Sequence, residues 1–192
     1  MSEARARLLG TASGLFYSEG LRAVGIDRII AAAGVTRATL YRHFPGKDDL
    51  VVAYLEQIDE AIRAQVAATR SENSSAVDVV RAVGRSIADS IRAPGFRGCA
   101  FLNAVAEYPD PGHPVHKAVL AHRQWFSATI TEILADLDET DPGPAARQFV
   151  MLRDGAMAAG CLTDPDPVCE TFLLGIEGLL DIHRRARREP GE

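Results

Sequence analysis

Apolar residues recur along the chain at intervals of three and four, and no segment alternates convincingly with the period of two that a half-buried strand needs. Leu8, Leu9, Ala12, Leu15 and Phe16 fall on one face of a first helix over about residues 4–18. Gly20 suits its exit, because glycine enters a left-handed conformation at little cost. Ile26, Ile29, Ile30 and Ala33 mark a short second helix stopped by Gly34. Thr36 is the N-cap expected of a third helix that runs to about His43 and is closed by Phe44-Pro45-Gly46. Lys47-Asp48-Asp49 then opens a long fourth helix, with two acids in the first turn where the macrodipole favours negative charge.

Further on, the pattern breaks at Ser71–Ser75, Ala93–Gly98, Pro109–Pro114, Asp138–Pro144 and Thr163–Pro167. The stretches between them predict helices near 76–92, 98–108, 113–136, 144–161 and 166–187, followed by a short, polar, Arg-rich tail. About nine helices and no strand define an all-α fold. There is no internal repeat and no low-complexity region.

Composition narrows the class. Of 192 residues 47% are hydrophobic, enough to bury a core, and the longest apolar runs fall well short of the ~20 residues that span a bilayer. The first residues lack a continuous apolar core and a small-residue cleavage site, so no secretory signal is expected. Cys99, Cys161 and Cys169 are an odd number without framework or metal-like spacing, as in a reducing compartment. A cytoplasmic protein with no membrane span is the expectation.

A net charge of −5 is unfavourable for a polyanion binder, but its distribution matters more. Residues 1–47 carry seven basic and three acidic side chains, a balance of +4, and residues 48–192 carry 14 and 23, a balance of −9. A basic first quarter on an acidic body permits one end alone to meet nucleic acid.

That end also holds the informative motif. The second and third helices are joined by Ala-Gly-Val-Thr, a helix-turn-helix pattern in which Gly34 can take the positive φ of a tight turn and Val35 can wedge between the helices. Ala31 and Ala32 are small enough to permit a close crossing. Leu40 and Phe44, four residues apart, should face inward. Arg37, Ala38, Thr39, Tyr41, Arg42 and His43 are then left to project, an assortment suited to phosphates and base edges.

The stretch from Gly20 to Leu50, GLRAVGIDRIIAAAGVTRATLYRHFPGKDDL, resembles the N-terminal signature of the TetR (TetR/AcrR) family of transcriptional regulators, in which a helix-turn-helix ends in a T-L-Y-x-H-F-x-x-K-like segment. The resemblance implies a DNA-binding domain over residues 1–46 and a helical effector-binding and dimerisation domain over 47–192. It implies that Thr39, Tyr41, His43 and Lys47 contact DNA, mainly phosphate. Thr36 would touch a phosphate at the helix start, and Arg37 and Ala38 would approach base edges. The chemistry of these side chains agrees: Arg37 can bind guanine bidentately, Ala38 can meet a thymine methyl, and Lys47 supplies a point charge. Where the family often caps the second helix with Thr or Ser, this chain has Val24-Gly25; glycine caps acceptably but offers no hydroxyl to a phosphate.

Other residues offer sharper and blander readings together. Cys99 stands at a predicted helix start beside Arg97, where a thiolate is favoured, so an oxidant or electrophile sensor is one alternative and a small core residue the other. His113, His116 and His122 have no acidic or cysteine partner at metal-binding spacing, and helix capping and surface exposure are expected of them rather than a metal site. Phe101, Tyr108, Trp125, Phe126, Phe149 and Met157 are core or border an effector cavity. The small residues Gly155, Ala156, Ala158, Ala159 and Gly160, followed by Phe172, Leu173, Ile176, Leu179 and Leu180, either pack within the chain or, as the resemblance implies, pair helices near 144–161 and 166–187 across a two-fold axis.

The resulting expectation is a homodimeric repressor on a palindromic DNA operator, released by a small-molecule effector. No Gly-x-Ser-x-Gly, phosphate-cradling glycine loop or His-Glu-x-x-His pattern points to an enzyme, and no cofactor is implied. A helical adaptor with a purely structural helix-turn-helix is the remaining rival, disfavoured by the basic face of residues 36–47.

Overall fold

The computed structural model describes residues 2–73, 75–136 and 141–186. Among these the chain forms nine α-helices and no strand: α1 (Glu3–Glu19), α2 (Ile26–Ala33), α3 (Arg37–His43), α4 (Lys47–Glu72), α5 (Ala76–Arg92), α6 (Ala100–Glu107), α7 (Pro114–Ala135), α8 (Gly143–Ala159) and α9 (Pro165–Ala186). The all-α expectation holds, and most boundaries fall within two residues of those the pattern predicts. The largest shifts have local causes. Gly98 has φ +86°, outside the helical region, so α6 begins after it and not at 98. Beyond Ala159 the backbone tightens, with Leu162 N donating to Ala159 O at 2.9 Å, and α8 ends short of 161. Residues 137–140 and 187–192, which take in the start of the predicted break at Asp138–Pro144, the last residue of the predicted final helix and the tail after it, lie outside the described residues.

The chain divides into two compact units, Met1–Ile62 with Ala100–His122, and Arg63–Cys99 with Arg123–Glu192. α4 and α7 contribute residues to both. In the first unit Leu8, Ala12, Val24, Ile29, Leu40 and Leu50 are fully buried. The Phe16 and Tyr54 rings meet there at 5.8 Å between centroids. This core fixes α2 and α3 against α1. Ala31 and Ala32 do not mediate the crossing: both are exposed, and Ile29 and Ala33 carry the buried face of α2.

The second unit is built on α5, α8 and α9. Phe149 meets Phe126 and Phe172 at ring separations of 6.5 and 6.3 Å. Gly84 lets α5 approach α9 closely, since a Cβ there would stand 2.4 Å from Cδ1 of Ile176. Phe172, Ile176, Leu179 and Leu180 are buried within their own chain, as the intrachain reading of that stripe has it, while Leu173 is half-buried. The apolar side chains that α8, α9 and their connection expose are others: Met151, Leu162, Leu174 and Ile182.

Candidate nucleic-acid interface

The helix-turn-helix is assembled by its own backbone chemistry. α2 starts at Gly25, an extended N-cap with no side-chain hydrogen bond, and ends at Gly34, whose φ of +62° is left-handed. Gly34 N donates to Ala31 O and Val35 N to Ile30 O, both at 3.3 Å, which satisfies two carbonyls that the helix end would otherwise orphan. Two residues on, Thr36 is the extended N-cap of α3 and its Oγ1 accepts from Thr39 N at 3.1 Å. Such a cap is worth about 1 kcal/mol. Leu40 and Phe44 are buried as the pattern requires, which turns the opposite side of α3 outward.

On that side Arg37, Ala38, Tyr41 and Arg42 are exposed, while Thr39 and His43 are half-buried. The Thr36 and Thr39 hydroxyls stand 2.9 Å apart. Arg37 is paired with Asp27 in the first turn of α2. His43 Nε2 lies 3.3 Å from Oγ of Ser2, the N-cap of α1, so the start of the chain meets the end of α3. Arg28 makes a two-bond pair with Glu19, at 2.9 and 2.5 Å. Lys47 is half-buried, and its Nζ donates to Arg22 O at 3.1 Å. Burial pulls the Lys47 ammonium below its ordinary pKa, with Asp48 and Glu107 opposing that shift.

Three contributors to this region carry no signal in the motif. Asp27 occupies the Arg37 guanidinium. Glu107, at the end of α6, accepts from Leu21 N at 2.9 Å and from Arg22 N at 2.6 Å. Tyr108 donates its hydroxyl to Asp48 Oδ1 at 3.2 Å, and the Arg22 guanidinium lies over its ring. None of these partnerships falls at the one-turn spacing that a sequence pattern reports.

Residues 8–54 match the family model for bacterial regulatory proteins of the tetR family. Across nearly the whole chain the structure resembles a crystal structure of a TetR-family transcriptional regulator from Streptomyces coelicolor, at 67% identity and a TM-score of 0.93, covering 96% of this chain and 97% of that one. The chain belongs to the TetR family.

Two curated relatives are more distant. The HTH-type transcriptional regulator YjdC of Escherichia coli is 26% identical over 80% of this chain and 81% of its own length. The HTH-type transcriptional activator FasR of Mycolicibacterium smegmatis is 30% identical over 81% of this chain and 68% of its own. This TetR-family chain is therefore a DNA-binding transcriptional regulator, with an N-terminal helix-turn-helix and a helical remainder.

The remaining sequence candidates fall into place within single units. Cys99 is 5% exposed and accepts a hydrogen bond from Arg153 Nη2 at 3.2 Å. Reactive sensor thiols are accessible; this one has the burial of a core residue, and the sensing alternative gains no support. Its neighbour Arg153 is itself buried, pairs with Asp154 Oδ1 at 2.9 Å and lies against Phe126. Arg123 grips the same carboxylate with two hydrogen bonds.

His113 does serve as a cap, its Nδ1 accepting from Val115 N at 3.3 Å, and its Nε2 stands 3.2 Å from Asp48 Oδ2. His122 departs from the expected exposure. It is buried, stacked on Phe101 at 3.6 Å, with Nδ1 2.7 Å from Asp59 Oδ1. Its acidic partner lies 63 residues away, which is why spacing did not reveal it. Among the described residues no three His, Cys, Asp or Glu side chains converge as metal ligands, and no helix is long and apolar enough to cross a membrane.

Proposed function

We propose that this regulator is a repressor that binds a palindromic operator as a homodimer and leaves it when a small-molecule effector binds the helical body. The observation that carries the reading is the outward side of α3. A capped helix, set by a left-handed glycine and two buried anchors, offers Arg37, Ala38, Tyr41 and Arg42 to solvent from the basic end of the chain. Arg37 and Ala38 would meet base edges in the major groove, and Thr36, Thr39, Tyr41, His43 and Lys47 would position the helix on phosphates. Lys47 spends one ammonium donor on Arg22 O, and two remain for a phosphate.

A dimer has a direct use here, because two such helices must reach successive major grooves about one helical turn apart, or a multiple of it. An open apolar groove between α8 and α9, lined by Met151, Leu152, Gly155, Phe172 and Thr171, supports these helices as the pairing surface. Residues 1–46 would then be the DNA-binding region and 47–192 the effector-binding and dimerisation region. This functional division follows the end of the helix-turn-helix, with Lys47 at the start of α4 as a further phosphate contact just beyond it, whereas the two compact units are defined by packing. A small, apolar effector would act by binding better to the conformation that DNA disfavours, and operator DNA would weaken effector binding by the same factor. The reading includes a cytoplasmic location, where the DNA of a bacterial cell lies.

Selection of bound sequences from random double-stranded DNA tests the reading. Enrichment of a palindrome with half-sites about ten base pairs apart, centre to centre, or a multiple of that, is expected. Enrichment of no sequence, or of an unrepeated half-site, overturns it.

A further inference from the structure

We infer that Glu107 is a positioning residue for DNA binding: from the end of α6 it holds the α1–α2 turn in the place where that turn seats Lys47. The inference rests on the proposed contact between Lys47 and phosphate, and on geometry inside the first compact unit.

The Glu107 carboxylate accepts the two successive amides of the turn, Leu21 N and Arg22 N, at 2.9 and 2.6 Å. These amides follow Gly20, whose φ of +98° turns the chain out of α1, and Glu107 Oε1 would lie 3.6 Å from a Cβ at that glycine. An ionised acceptor facing two backbone donors makes stronger hydrogen bonds than a neutral one. With its N–H held by Glu107, Arg22 presents its carbonyl to Lys47 Nζ at 3.1 Å. A continuous line of hydrogen bonds thus runs from α6, through one peptide-flanked residue, to the ammonium. The next residue of α6's exit does the same on the other flank of Lys47, where Tyr108 donates to Asp48 Oδ1 at 3.2 Å and supports the Arg22 guanidinium on its ring. Glu107 is also a negative charge close enough to Lys47 to favour its charged form.

A lysine tethered in this way keeps its ammonium at one spot, so little side-chain freedom remains to be lost when phosphate arrives. Without the carboxylate the turn is released, the Arg22 carbonyl swings, and Lys47 reverts to a loose point charge.

The test is a salt series on a mixed-sequence DNA duplex, on which phosphate contacts act without a known operator, for the wild type, Glu107→Gln, Lys47→Ala and the double variant. Lys47→Ala should weaken binding about five- to tenfold at 0.1 M salt and flatten the log–log salt slope by about 0.9 per subunit bound. Glu107→Gln should reproduce part of both changes, and the double variant should bind no more weakly than Lys47→Ala alone. A merely structural Glu107 gives instead an unchanged slope or a loss that adds fully to that of Lys47→Ala, and either result overturns the inference. If Lys47→Ala has no effect, the phosphate contact itself is wrong and the inference falls with it; if only Glu107→Gln has none, the positioning role alone fails. Hydrogen exchange on the DNA-bound wild type covers the case of a variant that does not fold. The Leu21 and Arg22 amides should be protected there, and exchange at unprotected rates overturns the proposal.

Discussion

Arg37, the first residue of α3, is held by Asp27 in the first turn of α2. The guanidinium proposed to read a base is thus occupied in the free protein by a carboxylate of the same motif. Both side chains are more than half exposed, so the pair contributes only about 0–1 kcal/mol to stability and competes weakly with DNA. Asp27→Asn should raise operator affinity up to about fivefold and lower stability by no more than about 1 kcal/mol, since that is the span of an exposed pair. Fluorescence anisotropy with a labelled duplex measures it, and a loss of affinity would show that Asp27 orients Arg37 for DNA and does not compete with it.

Tyr108 supplies a pH signature. Its phenol is pushed up from 10.0 to about 12, first by burial, then by the charge of Asp48 and the hydrogen bond to it. A raised acid pKa means that the folded chain keeps a proton which the unfolded chain releases. This stabilisation is complete below pH 10 and is lost as the pH climbs from about 10 to about 12. Tyr108→Phe removes the phenol, so the stability difference between wild type and variant should shrink or reverse across that window. Urea midpoints at pH 9 and 11 decide it, and parallel curves for the two proteins contradict the assignment.

The second unit predicts the opposite pH behaviour. Burial pushes the Asp154 carboxyl up, yet hydrogen bonds from Arg123 and Arg153 and their charges outweigh it and hold the group below its ordinary 3.8. The corresponding stability is present above that value and disappears as the pH falls through the lowered folded pKa. Asp154→Asn leaves Arg153, which is 5% exposed, without its carboxylate, and removing one partner of a buried pair costs about 3–5 kcal/mol. Calorimetry at pH 7 should show the loss, and the variant's stability should respond less to acid than the wild type's. An unchanged melting temperature would mean that Arg153 is sustained by Cys99 and Phe126 alone.

Met151 and Leu174 are 73% and 72% exposed on α8 and α9, a large apolar surface for two helices to leave to water. In the proposed dimer they are covered. Met151→Glu and Leu174→Glu together should yield a monomer in sedimentation velocity, with unchanged helix content and DNA affinity reduced at least a hundredfold through the loss of bivalent attachment. A dimer that survives both substitutions moves the interface elsewhere.

The helix-turn-helix was legible because its determinants are local. Gly34, Thr36, Leu40 and Phe44 act through the backbone or at one helical turn, and spacing reports such relations directly. Helix ends shifted where a single backbone angle intervened, as at Gly98. What the pattern did not disclose depends on partners brought together by folding: Asp27 for Arg37 across the turn, Glu107 for the amides of residues 21 and 22, Asp59 for His122. The apolar stripe of α9 shows the same limit in another form. Period alone identifies a buried face, but an intrachain and an intersubunit neighbour bury it equally well, and only the fold assigned Phe172 and Ile176 to the former.

The fit of Ile176 against Gly84 has a mechanical consequence. α5 has one position without a side chain where that methyl seats, and one turn away in either direction stand Val80 and Ala88, both already buried. The seam between α5 and α9 is therefore keyed like a peg in a slot, and sliding one helix along the other by a turn brings the Ile176 methyl against Val80 or Ala88. A rearrangement of this part of the regulator that keeps the methyl in its slot carries α5 and α9 together as one piece.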